Sequence, residues 1–175
     1  MTSDQTQNGH DTILKGLHSA DADKVIETLE ELRAVGKSSD IPILAELLHT
    51  SQEKEIKSKI TSLFANLKEK ESVPYIIEAI KNERYAPELR QLISSCWENG
   101  LDFTNYLSLF VDLLIEGDFL VALEAFTVIT NMSETIDQQM IDTEIEKLDQ
   151  AMKTTAEEKK VLMLDVIDFL PSIGH

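Results

Sequence analysis

The chain has 175 residues, 42% of them hydrophobic and 27% charged, which are the proportions of an ordinary globular protein and exclude a wholly disordered one. Sixteen basic residues face 32 acidic ones, a net of −16, and the excess is lopsided: −4 over residues 1–90, −12 over 91–175, and no Lys or Arg between Arg90 and Lys147. Such a field repels phosphate backbones and argues against a nucleic-acid partner. It reads either as a solvated, solubilising surface or as a site for a basic protein.

Residues 1–10 are polar and are expected to form a disordered tail, with no basic stretch leading into an apolar run as a secretory signal requires. A cytoplasmic protein follows, the alternative being a mature secreted form whose leader has been removed. The longest apolar runs are broken by acids, as by Asp112 between Val111 and Leu113, so no membrane span is expected. The single cysteine, Cys96, excludes an internal disulfide and suits a reducing compartment.

From Asp11 onward the apolar residues recur with helical period and show no sustained alternation. Val25, Ile26, Leu29 and Leu32 make a first stripe, closed at Gly36, where a left-handed C-terminal residue is expected. Ser39 and Asp40 are candidate caps before Pro42, which sits just inside the next helix. Thr50 and Glu53 have capping-box spacing ahead of the stripe Ile56, Ile60, Leu63, Phe64 and Leu67. Ser72 and Pro74 repeat the start signal. Leu89, Leu92, Ile93, Cys96 and Trp97 form a third stripe ending at Gly100. Cys96 and Trp97 both fit core packing at that spacing, and Trp97 has the alternative of an aromatic binding anchor. The helix Phe119–Met132 is apolar nearly all round and is expected to be buried between neighbours. Thr155 and Glu158 have capping-box spacing before Val161–Leu170, which has a neighbour on one side alone and is expected to leave an apolar face partly exposed. Pro171 closes it.

The short helices superpose. Pro42, Pro74 and Ser108 are equivalent positions at steps of 32 and 34, extended by Asp11 at 31 before and Asp142 at 34 after. Each is followed by a longer helix, starting near Asp21, Glu53, Ala86, Asp118 and Thr155. Two helices per period of thirty to forty residues signal an α-solenoid, in which stacking supplies the core that one hairpin lacks.

This pattern resembles HEAT (armadillo-like) repeats: Pro42 with Leu47-Leu48 and then Ile56-Lys57; Pro74, Leu89-Arg90 and Gly100; and Gly36 closing the first unit. The resemblance spans roughly Asp11 to Ile173 and is strongest from Ala22 to Gly100; the last two units lack the proline and the basic residue. It implies an all-α fold, a right-handed α-α superhelix of about five helix hairpins, as a single domain over residues 11–175. It further implies that second helices line a concave binding side, which nominates Lys57, Arg90 and Glu124, with Trp97 as anchor if exposed.

Signals for catalysis are sparse. The histidines His10, His18, His49 and His175 lack metal-ligand spacing, and two near helix ends read as solvated. Ser19, Asp21 and Asp23 lack the glycine and glutamate of a calcium loop and read as helix-start acids. No phosphate loop or nucleophile elbow occurs. The expectation is a non-catalytic protein-interaction scaffold with an acidic helical surface, no cofactor and no metal, whose partner is a protein of basic character. The alternatives are a subunit of a HEAT-like enzyme of lyase or DNA-repair type, and a structural oligomerising subunit. Homodimerisation through the C-terminal helix is a further option.

Overall fold

The structure, a computed structural model, describes residues 10–174. They form ten helices: α1 (residues 10–16), α2 (Ala22–Val35), α3 (Ile41–Thr50), α4 (Lys54–Ala65), α5 (Ser72–Lys81), α6 (Leu89–Glu98), α7 (Leu107–Glu116), α8 (Phe119–Thr130), α9 (Gln138–Ala151) and α10 (Glu157–Phe169). Short 3-10 turns precede α3, α6 and α7 and follow α10. No strand occurs among the described residues; one isolated parallel bridge ties Ile136 to Gly174, with the Ile136 N–H donating to the Ile173 carbonyl at 2.9 Å. The fold class is all-α. None of the described helices is long and apolar enough to cross a membrane. The tail expected over residues 1–10 lies outside the described residues except for His10, which is helical and buried.

Several boundaries follow the local chemistry. Asp21 caps α2 by accepting from the Asp23 N–H, Asp118 caps α8 through Val121, and Asp137 caps α9 through Gln139 and Met140. Pro42 and Pro74 lie in the first turns of α3 and α5, where a missing N–H leaves no bond unmade. Gly100 takes φ +70° after α6, a conformation other residues rarely adopt. Gly36 differs from expectation. Its φ of −62° is extended, and α2 ends simply with the Gly36 N–H on the Leu32 carbonyl. The two capping boxes also do not form. Thr50 and Thr155 donate back to the Glu46 and Ala151 carbonyls, and Glu53 and Ala156 hold the cap positions. Ser72 is helical, not a cap, and its hydroxyl bonds that of Ser38 at 2.9 Å.

The helices gather into two compact units, Met1–Glu88 and Leu89–His175, dividing between α5 and α6 within what the sequence reads as one domain. In the first, α2 packs on α4, α3 on α4, and α3 on α5. Its centre is Leu29, Ile41, Leu48, Ile60, Phe64, Ile76 and Ile77. A close approach fixes its edge: a Cβ on Gly16 of α1 would collide with Thr28 Oγ1 of α2.

In the second unit α8 packs on α7 and is flanked by α6 and α10, while α7 also meets α9. Phe103 and Phe110 meet edge to face, centroids 6.0 Å apart, and Ile93, Leu107 and Ile129 are fully buried in the same unit. Burial of α8 is one-sided, contrary to its sequence. Val121, Ala122, Ala125, Val128 and Ile129 are covered, whereas Phe119, Leu120 and Leu123 are exposed. The neighbours α6, α7 and α10 leave the face of Leu120 and Leu123 uncovered.

Candidate functional site

Three of the four residues nominated from the sequence converge in the second unit. Helix α6 buries Leu92, Ile93 and Cys96 along one stripe. Trp97, one residue past Cys96, is turned about 100° from that line and stands 38% exposed. Trp97 is therefore part-buried, with one side packed and the other open to solvent. Its indole Nε1 donates to Glu124 Oε2 at 2.9 Å, and Arg90, one face along the same helix, places Nε 3.2 Å from Glu124 Oε1. Glu124 reaches across from the flank of α8 with its side chain 13% exposed.

Both Glu124 oxygens are thus engaged. The Arg90 side chain is 55% exposed, so that ion pair contributes less than about 1 kcal/mol. The indole bond to a charged, largely covered acceptor is the stronger contact. Together they hold the indole in one orientation, which turns a mobile aromatic into a preorganised one. Glu124 acts here as a positioning group more than as a free surface charge.

Lys57 belongs to the first unit and serves a different cluster. Its ammonium lies 3.3 Å from Glu88 Oε1, while Glu88 Oε2 is 2.8 Å from His49 Nδ1. The His49 ring tilts against Tyr85, whose hydroxyl donates to Glu46 at 3.0 Å. Burial and then the Glu46 bond raise the Tyr85 hydroxyl above its ordinary pKa. Arg84 takes the other Glu46 oxygen at 2.6 Å. His49 is therefore a structural partner of Glu88 and Tyr85.

Two more polar clusters escape the sequence. His10 Nε2 meets Asp40 Oδ1 at 2.9 Å with both side chains buried, and Asp40 Oδ2 accepts from the Lys37 N–H. Lys147 contacts Asp112 at 2.9 Å, Glu144 at 2.8 Å and Ser108 at 3.1 Å. Burial pulls the Lys147 pKa down, but the bonds and charges of Glu144 and Asp112 outweigh it and hold it above the ordinary lysine value. The one available signal was separation. His10–Asp40, Lys57–Glu88, Ser38–Ser72, Arg90–Glu124 and Lys147–Asp112 are 30, 31, 34, 34 and 35 residues apart, close to the repeat step.

Trp97 also borders a cleft of about 260 Å³ lined by Cys96, Asp102, Phe103, Asn131 and Met132, below the usual size of small-molecule sites. Burial pushes the Cys96 thiol far above its ordinary pKa, so it offers no thiolate to that cleft. Among the described residues no group of three or more His, Cys, Asp or Glu is arranged to hold a metal ion.

No protein-family model matches the chain, and no curated protein matches it. Among solved structures it is similar to an engineered protein of the Northeast Structural Genomics Consortium, at 18% identity over 95% of this chain and 81% of that one, with a TM-score of 0.45. A likeness of that size decides neither fold family nor function.

Proposed function

We propose that the chain is a HEAT-like (armadillo-type) α-solenoid serving as a non-catalytic interaction module, whose acidic helical surface holds a protein partner of basic character. Support for the solenoid comes from within each unit. Five pairs of helices pack two places apart along the chain, α2 on α4 and α3 on α5, then α6 on α8, α8 on α10 and α7 on α9. The polar links just described recur near the repeat separation, as neighbouring hairpins in a stack require. The binding reading is carried by Trp97, the chain's one tryptophan, exposed and oriented by Glu124 in a strongly anionic segment. Exposed aromatics of fixed orientation are the residues that dominate binding hot spots.

Capture from native extract with the full chain, against Trp97→Ala and at two salt concentrations, tests the reading. A partner recovered about tenfold less by the variant, and less at high salt, is expected. Recovery of nothing, or of the same proteins in equal amount by the variant, overturns it. The exposed Val161 and Leu164 of α10 favour a second reading, a structural subunit that oligomerises through its C-terminal helix. Solution mass across concentrations separates the two.

A further inference from the structure

We infer that the outward face of α8 and α10 docks an amphipathic helix of a partner protein, apolar along one stripe and basic elsewhere. This rests on the interaction-module reading and adds the surface and the partner's chemistry; it does not use Trp97.

The two helices are in contact; α8 packs on α7, and α10 meets both α7 and α9. On α10 the buried face is Leu162, Met163 and Val166. The opposite face of α10 carries Val161 and Leu164, 58% and 50% exposed, and that of α8 carries Leu120 and Leu123, 46% and 38% exposed. Residues three apart stack into one ridge on a helix, so each pair forms a ridge. Packed helices lie about 8–10 Å apart, so two parallel ridges leave a shallow trough between them of the width a third helix fills. Scattered surface apolar residues need no explanation, but three leucines and a valine on the outward faces of two touching helices form a patch.

Charge selects the occupant. Leu89–His175 holds five basic and sixteen acidic residues, a net of −11. Four of the five bases are already engaged: Arg90 with Glu124, Lys147 with Asp112 and Glu144, Lys160 with Glu157, and Lys159 with the Ile115 and Gly117 carbonyls. Asp118, Glu158, Asp165 and Asp168 are exposed on the same two helices or at their starts. An acid-rimmed apolar trough attracts a helix whose stripe is apolar and whose flanks are Lys or Arg. It repels an anionic bilayer, and a second copy would set −11 against −11.

The probe is a synthetic helical peptide of about 18 residues, five turns, with Leu at i, i+3, i+4 and i+7 and Lys elsewhere. Titration calorimetry with the full chain is expected to give binding that weakens about tenfold in about 0.5 M salt. It is expected to weaken at least about tenfold when the Leu and Lys order is scrambled, and to vanish with Glu in place of Lys. The double variant Leu123→Ser, Leu164→Ser is expected to lose about tenfold or more while its circular dichroism and melting stay those of the parent, since both positions are exposed. The single variants serve if the double one melts early. Absence of binding by the Lys peptide, equal binding of the scrambled peptide, or equal binding by these variants overturns the proposal. So does dimerisation that the variants abolish, or sedimentation with phosphatidylserine vesicles that they abolish. A native partner lost with Trp97→Ala but kept by the Leu123 and Leu164 variants sinks this inference alone, whereas no captured partner sinks the module reading first.

Discussion

Two adjacent lysines on α10 make a sharp comparison. Lys159 Nζ donates to the Ile115 and Gly117 carbonyls at 2.6 and 2.7 Å, reaching groups at the C-terminal end of α7 that the helix itself leaves without a donor. Hydrogen bonds from a charged group contribute about 1.5–3 kcal/mol each, and a cation at a helix C-terminus adds about 0.3–1 kcal/mol. Against this stands lost hydration. Burial lowers the Lys159 pKa, with the Asp118 charge partly opposing it, and the carbonyls regain some water once the ammonium goes. Lys159→Met is therefore expected to cost about 1.5–2.5 kcal/mol. Lys160 bonds Glu157, which is 88% exposed, and Lys160→Met is expected to cost under about 0.5 kcal/mol. Urea unfolding of both variants at neutral pH, with equal slopes, gives the difference, and a melt should register it as about 4–8 °C. If the two variants differ by less than about 0.5 kcal/mol, the reasoning that the Lys159 ammonium secures α7 is wrong.

Gly16→Ala is expected to destabilise by about 1–3 kcal/mol through the clash with Thr28 Oγ1, and Thr28→Ala should recover much of it; a double-mutant cycle by denaturant that comes out additive refutes the contact. The raised pKa of Lys147 means that its pairing with Glu144 and Asp112 stabilises the fold in full below the ordinary lysine value and is lost as pH climbs through the higher folded value. The stability gap between parent and Lys147→Met should therefore be constant around neutrality and shrink in strong alkali. Glu124→Gln is expected to change stability by under about 1 kcal/mol, since Arg90 is exposed, yet to shift Trp97 emission as its charged acceptor goes; an unchanged spectrum refutes the contact. Phe110→Ala, emptying a site against Phe103 with no exposure, is expected to cost about 3–5 kcal/mol by the same unfolding assay.

Helix positions were legible because periodicity and punctuation are local. The second helices expected near Asp21, Glu53, Ala86, Asp118 and Thr155 begin at Ala22, Lys54, Leu89, Phe119 and Glu157. Register failed where its signals thin out. The repeat spacing puts Asp142 at the start of a short first helix, but α9 starts at Gln138, under the Asp137 cap, and runs 14 residues. Caps failed where two hydroxyls competed. Thr50 and Thr155 satisfy the preceding carbonyl, a choice that depends on the turn and not on the residue type.

Composition and spacing alone determined that this is an all-α chain with its acid crowded into residues 91–175, because helix periodicity and charge are carried by neighbours in sequence. Which polar groups meet was decided by tertiary structure. His10 finds Asp40, and Glu124 finds both Arg90 and Trp97, across separations of 27 to 34 residues that no local pattern encodes. The same holds for exposure. Leu120 and Val128 are both apolar residues of α8, and one meets solvent while the other is covered because neighbouring helices occupy one side of that cylinder and leave the other open.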